Sequence, residues 1–346
     1  MTMWYESAKN TNDQIVVASR VRLARNLVDY PFSMKISDEQ AQDLVNTVGE
    51  KFFSQYTGKT TYHYYALGEM DTNLKNAMAE RYTITPLLRD KTQTCGLIVS
   101  EDESESIMVN EEDHLRIQSV SMGNNLWSVY LAADRMDDLL SERMPYAYNH
   151  KYGYITSCPT SMGTGLRATY ILHLPFMEKQ DLIRPLAEEL NRLGCVLKSV
   201  YQDVNGTLAS LYQISNQRTL GLSEEEILSS LKSIVEQVEA QERQAGEDLL
   251  RKNRSEIEDQ VYRSYGILRY GRKFGAGEAL THLSNVRTGI ALGMLKTVGE
   301  APDMYTLMIH VLPSTLMRTE GRDMGSTARH ACRAAYIHEK LPDIIE

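Results

Sequence analysis

Hydrophobic positions along this chain follow two different periods. From about residue 13 to about 220, short apolar runs alternate with longer stretches spaced three and four residues apart. The short runs predict strands at Ile15–Ser19, Gly96–Val99, Ile107–Val109, Tyr170–His173 and Gln213–Ser215. The longer stretches predict helices at Asp38–Phe53, Leu126–Arg143 and Lys179–Leu193. Beyond Gly221 the strand period disappears. Ser223 followed by Glu226 is a capping-box pair, and Ile227, Leu231, Ile234 and Val238 continue one helical face. That helix is expected to reach about Leu250, with further helices at Glu256–Gly266, Ala276–Met294, Pro302–His310 and Ser326–Lys340. The pattern predicts an α+β or α/β catalytic part and then an all-α part, divided near residues 245–256. The acidic run Glu101–Glu105 is expected at a solvated hairpin tip.

Composition narrows the class. A length of 346 residues suits two domains, and 42% hydrophobic with 24% charged residues suits a packed core. No apolar run approaches the 18 or so residues of a membrane span. The start, Met1 to Glu6, lacks the basic and apolar segments of a signal peptide. Cys95, Cys158, Cys195 and Cys332 form no CxxC pair, so zinc and disulfide frameworks are disfavoured and a reducing cytoplasm is expected. The net charge of −9, from 46 acidic and 37 basic residues, disfavours a broad nucleic-acid surface.

Three clusters carry candidate chemistry. No Walker loop, GxGxxG, protein-kinase motif, HExxH or GxSxG is present, so phosphate handling must rest on other residues. The first cluster is Ser19-Arg20-Val21-Arg22-Leu23-Ala24-Arg25-Asn26. If the preceding strand continues, Arg20 and Arg22 share a face and repel unless an anion such as polyphosphate lies between them. The plain alternative is an exposed edge strand with salt bridges. The second is Asn110-Glu111-Glu112-Asp113-His114-Leu115-Arg116, where a carboxylate can orient a basic substrate or take its proton. Its alternative is a polar loop opening a helix. The third runs from Ser157 through Cys158 and Gly163 to Arg167, a tight loop able to approach a ligand closely. There Cys158 is either a thiol tuned by nearby cations or an inert buried cysteine.

Taken together, SRVRLARN from Ser19, NEEDHLRIQS from Asn110, SCPTSMGTGLRA from Ser157 and YQISNQRTLG from Tyr212 resemble the guanidino-kinase (phosphagen kinase) family. Within that family the resemblance is to bacterial protein-arginine kinases, and it extends into the helical part through Val261–Leu268. The resemblance implies an α+β fold. Residues 1–250 would form an ATP-binding catalytic domain with an antiparallel sheet flanked by helices. Residues 251–346 would form an all-α domain for phosphoarginine binding and dimerisation. ATP phosphates would be held by Arg20, Arg22, Arg116, Arg167 and Lys198, with Arg25 a weaker member. Mg²⁺ would ride mainly on the nucleotide, with no protein ligand named. Glu112 and Cys158 would act at the acceptor guanidine, with Glu111 and Asp203 beside it. Arg329 and Arg333, one helical turn apart, would face one phosphoarginine. Phosphagen kinases carry a helical domain ahead of the SRVR block, and its absence here points to arginine on proteins. Implied partners are protein substrates with exposed arginines, a zinc-containing activator, a stress-gene repressor, a Clp-type unfoldase marking substrates for degradation, and a second copy of the chain. No membrane or direct nucleic-acid partner is implied.

Four departures from the family pattern bear on rate and recognition. Lys198 replaces an arginine, Asp203 replaces a glutamate, and Ser199, Gln202 and Val204 replace glycines. His330 stands where the phosphoarginine motif has an aspartate. Lysine lacks the planar fork of arginine. The alternatives left open are a kinase of a small guanidino compound and a phosphoarginine reader with weakened catalysis.

Overall fold

The computed structural model describes residues 2–7, 11–203, 206–299 and 302–344, the side chain of Asp203 excepted. Its strands are β1 (Val16–Arg25), β2 (Tyr62–Ala66), β3 (Gly96–Ser100), β4 (Glu105–Val109), β5 (Leu115–Met122), β6 (Tyr148–Asn149), β7 (Gly153–Tyr154), β8 (Leu166–His173), β9 (Cys195–Asp203) and β10 (Gly206–Asn216). Its helices are α1 (Asp38–Gln55), α2 (Thr72–Glu80), α3 (Pro86–Asp90), α4 (Leu126–Ser141), α5 (Pro175–Lys179), α6 (Ile183–Arg192), α7 (Glu224–Tyr270), α8 (Ala276–Ala291), α9 (Met304–His310), α10 (Pro313–Thr319) and α11 (Ser326–Lys340).

Eight strands form one sheet in the order β2-β3-β4-β5-β1-β8-β10-β9. Every pairing in it is antiparallel, so the α+β alternative holds over α/β. Strand β1 runs past Ser19 to Arg25 and lies between β5 and β8, so it is a central strand rather than an edge. Strand alternation gives the sheet two chemically different faces. Val21, Leu23, Ile117 and Leu172 point to one face, where α1, α4 and the first half of α7 close the main core. Val17, Val120, Ile171 and Leu211 belong to the other face, where Leu283, Met304 and Ile309 of the C-terminal helices cover one end of the sheet. A smaller cluster, with Met78, Leu88, Leu97 and Met108, seats α2 and α3 over β3 and β4. Between these two apolar patches the sheet face is polar.

The predicted cap of α7 is present: Ser223 Oγ accepts from Glu226 N at 3.1 Å, and Ser223 N donates to Glu226 Oε2 at 2.7 Å. The expected gap after Leu250 is a bend within one helix, with Asn253 at φ −135° and ψ 40°. The division at 250/251 therefore falls inside α7. Trp4 and Tyr5 are buried in the core of the C-terminal helices. The hairpin tip also differs from expectation. Glu103 is buried and accepts from Arg81 Nε at 2.8 Å, because the turn folds back onto α2.

Candidate active site

The polar strip of the sheet gathers residues from five strands. Arg22 lies opposite Gln118 of β5 on one side and Arg167 of β8 on the other. Arg20 pairs in register with Thr169, and Ala24 with Arg116. Because side chains alternate, Arg20, Arg22, Arg116 and Arg167 all emerge on this face. They line a cleft of about 630 Å³ together with Glu111, Glu112, Cys158 and Lys198. Gln213 and Ser215 of β10 complete its floor. The sequence places these two on a strand but assigns them no part in the site, although their period-two spacing with Leu211 was visible.

The arginines are short of counter-charge. Arg20 Nη2 donates to Gln213 Oε1 at 3.3 Å, and its guanidinium lies 4.9 Å from the centre of the Tyr82 ring. Arg167 Nη1 donates to Asn216 O at 3.0 Å. The Nε atoms of Arg20 and Arg22 are buried with no hydrogen-bond partner. Burial, and then repulsion from Arg20, Arg116 and Arg167, holds the pKa of Arg22 well below the usual arginine range. Burial also lowers Arg20 and Arg167. Crowded, partly desolvated cations with free donors favour an anion between them.

Arg116 differs, being held by two carboxylates. Its Nη1 donates to Glu111 Oε1 at 2.9 Å and its Nη2 to Glu112 Oε2 at 2.8 Å. The Glu111 side chain is buried. It also accepts from Glu112 N at 2.6 Å and from the Thr85 hydroxyl. The expectation that Glu111 meets substrate is corrected: packing of α3 against the β4–β5 turn commits it to the protein's own donors. Glu112, by contrast, is 39% exposed at the cleft. The segment is a hairpin turn between β4 and β5, not a loop opening a helix. Asn110 takes the left-handed conformation there, φ 58°.

Asp113 and His114 build this turn into the sheet. Asp113 Oδ1 accepts from Asn26 Nδ2 at 2.7 Å and Ser157 N at 2.6 Å, tying three motif blocks together. His114 Nδ1 accepts from Leu27 N at 3.0 Å, and Nε2 faces Pro31 O at 2.9 Å. Burial lowers its pKa and keeps the ring neutral. Neither role was foreseen; both depend on contacts far apart in sequence.

The Cys158 loop is clamped from below. Thr219 Oγ1 donates to Thr160 O and Met162 O at 3.0 and 2.7 Å. Gly163 and Gly165 have φ of 112° and 67°, and a Cβ on either would meet backbone oxygen at 2.4 and 2.6 Å. The loop therefore requires glycine at both positions. Cys158 Sγ lies 3.0 Å from Thr160 Oγ1 and lines the cleft.

Three expectations end elsewhere. Arg25 points to the opposite sheet face, where Nη2 donates to Asp137 Oδ2 at 2.7 Å and the guanidinium stacks 3.6 Å from the Tyr154 ring centre. Odd and even strand positions part there, so Arg25 is a core ion pair and not a phosphate ligand. Asp203 ends β9, and its side chain and Val204 lie outside the described residues. Arg329 and Arg333 do not present two guanidiniums to one exposed site. Arg333 is 1% exposed and donates to Val311 O and Phe274 O, both at 2.7 Å. Its helix face is the inward one. Arg329 is half-buried, with Nη1 3.5 Å from Met324 O.

A central antiparallel sheet carrying an arginine clamp beside a carboxylate and a thiol defines a phosphoryl-transfer class that needs no Walker loop. The comparisons agree. Residues 43–245 match the ATP:guanido phosphotransferase C-terminal catalytic domain, and residues 254–346 match the McsB protein-arginine kinase C-terminal domain. A protein-arginine kinase of Clostridium kluyveri is 37% identical over 341 residues, 99% of each chain. One from Halalkalibacterium halodurans is 39% identical over 330 residues, 95% of this chain and 92% of its own. The duplicated taurocyamine kinase of Schistosoma mansoni superposes with a TM-score of 0.58 at 26% identity, over 65% of this chain and 32% of that one. A lombricine kinase shares the fold at a TM-score of 0.58 and 21% identity, over 70% and 71% of the two chains. The chain belongs to the ATP:guanido phosphotransferase family, among its protein-arginine kinases.

Proposed function

We propose that this enzyme transfers the γ-phosphoryl group of ATP to arginine side chains of proteins. The observation that carries the reading is the cluster of Arg20, Arg22 and Arg167, with the Nε donors of Arg20 and Arg22 buried and unpaired, facing the same cleft as Glu112 and Cys158. Triphosphate fits that donor set. ATP, with Mg²⁺ on its phosphates, supplies the electrophilic phosphorus. Arg20, Arg22, Arg116, Arg167 and Lys198 bind and orient the phosphates and offset charge spreading over their oxygens.

Glu112 receives the acceptor guanidinium, whose pKa above about 12 makes it a poor nucleophile until a proton leaves. One guanidine nitrogen forms the P–N bond while the bond from phosphorus to the β-phosphate oxygen breaks. The proton passes to Glu112, and the electron pair leaves with ADP. Cys158 adds a polarisable group beside the guanidine, and Asp203 is assigned to the same acceptor step. Lys198 gives one point contact where the family has a fork, so an activator is expected to raise the rate.

We assign catalysis to residues 1–250 and phosphoarginine binding and dimerisation to residues 251–346. Arg329 is the arginine of its pair that meets phosphate, while Arg333 ties its helix to Val311 O and Phe274 O. A zinc-containing activator, a stress-gene repressor and a Clp-type unfoldase are the proposed partners, with the cytoplasm as setting. No helix among the described residues is long and apolar enough to cross a membrane. The test is incubation with Mg-ATP and an arginine-rich protein, scored by mass spectrometry for acid-labile phosphate on arginine. Phosphoramidate on arginine supports the reading. ATP binding without transfer, with the activator present, moves it to a phosphoarginine reader.

A further inference from the structure

Helix α10 begins without a cap of its own. Leu312 stands at its N-cap and has no polar side-chain atom for the first free N–H groups. Glu80, at the end of α2, supplies the acceptor from the catalytic part. Its carboxylate takes Ser314 N at 3.0 Å, Thr315 N at 2.7 Å and Thr315 Oγ1 at 2.9 Å. A second tie runs from α2 to the segment after α10, where Asn73 Nδ2 donates to Asp323 Oδ1 at 2.5 Å. Glu80 also lines the cleft.

The residues that follow touch the arginine face at two points. Tyr82 is held at φ 65°, a conformation a non-glycine residue keeps only when its surroundings enforce it. Its carbonyl accepts from Gln118 Nε2 at 2.6 Å, and its ring lies beneath the Arg20 guanidinium. Three residues on, the Thr85 hydroxyl donates to Glu111, whose carboxylate holds Arg116 at 2.9 Å. Tyr305 of α9 is fully buried nearby with its hydroxyl unpaired; burial holds its pKa well above the usual tyrosine range, and the Arg20 guanidinium opposes that rise.

We infer that residues 80–85 are a positioning device through which the C-terminal helices set the phosphate clamp. Helix α10 fixes Glu80; the segment then places Arg20 through Tyr82, and Arg116 through Thr85 and Glu111. Nucleotide affinity therefore depends on a contact made by α10, none of whose residues lines the cleft. Small displacements matter because a clamp works by position. The inference rests on the reading of these arginines as phosphate ligands.

The test is steady-state kinetics of the full chain with Mg-ATP and a protein acceptor, comparing Glu80→Gln, Thr315→Val and Arg22→Ala with wild type. Glutamine keeps the length of Glu80 and one acceptor oxygen, but removes the charge and sets an NH₂ in place of the Oε1 that accepts from Ser314 N. Valine keeps the shape of Thr315 and removes its hydroxyl. The KM for ATP is expected to rise about tenfold in Glu80→Gln and about threefold in Thr315→Val, with the KM for the acceptor unchanged. A merely structural contact would lower the active fraction, seen as kcat, and leave the KM for ATP alone; that result overturns the inference. If Glu80→Gln does not fold, Thr315→Val decides. Arg22→Ala separates the two readings. A raised KM there with unchanged KM in the other two sinks the positioning device alone. An unchanged KM in Arg22→Ala sinks the phosphate reading itself.

Discussion

Glu112 and Arg116 hold each other at 2.8 Å, four residues apart across one hairpin turn. Under the proposed mechanism they serve opposite charges, one the guanidinium of the acceptor and the other the phosphates of the nucleotide. Glu111 grips the other nitrogen of Arg116 at 2.9 Å from a buried position. Arg116 therefore stays in place when Glu112 lets go. Under that mechanism, phosphate at Arg116 competes with Glu112 for one guanidinium edge.

Glu112→Gln tests the proton-accepting role. Transfer should fall about 10²–10⁴-fold, the usual contribution of a positioned base. ATP affinity, followed by fluorescence titration, should stay within a few-fold, because Glu111 still holds Arg116. A parallel loss of ATP binding would reassign Glu112 to the clamp.

Arg22 and Arg25 lie three residues apart and should behave oppositely. Arg22→Ala removes a fork facing the cleft, and the KM for ATP should rise about 10–100-fold, as for loss of a charged hydrogen bond or two. Arg25→Ala leaves Asp137 buried without its partner and should cost about 3–5 kcal/mol of stability in chemical denaturation. Its KM for ATP should match wild type while the fold persists.

Gly165→Ala probes the loop beneath Cys158. The added Cβ would sit 2.6 Å from Ala24 O and from Arg25 Nη1, at φ 67°. Melting should fall by the equivalent of about 1–3 kcal/mol, and transfer should fall further as the loop shifts. Wild-type activity in this variant would show that the loop tolerates displacement.

Glu242 gives the fold a pH dependence. It is buried on α7 and accepts from Phe176 N and Met177 N at 2.8 and 2.9 Å, yet burial pushes its pKa up to about 7. A carboxyl raised above its unfolded value of about 4.3 stabilises the fold fully below that value. The contribution, about 3 kcal/mol at most, is lost as pH rises through about 7. Thermal melting of wild type should therefore decline between about pH 5 and 8 relative to Glu242→Gln. Parallel curves for the two proteins would refute this.

The period-two placement of Arg20 and Arg22, the helical face from Ile227 to Val238 and the cap at Ser223 were legible in the sequence. Each is set by neighbours within a few residues, where backbone geometry alone fixes which way a side chain points. The four motif blocks also pointed to the cleft-lining residues, through the family resemblance that their order and spacing carry together. What the sequence withheld was every partner brought in by register or packing. Asp113 meets Asn26 and Ser157, Glu103 leaves solvent for Arg81, and Arg333 turns inward to Val311 and Phe274. Glu80 capping α10 spans most of the chain. A buried polar group must find a donor or acceptor wherever folding supplies one, and only the assembled sheet and its covering helices decide which.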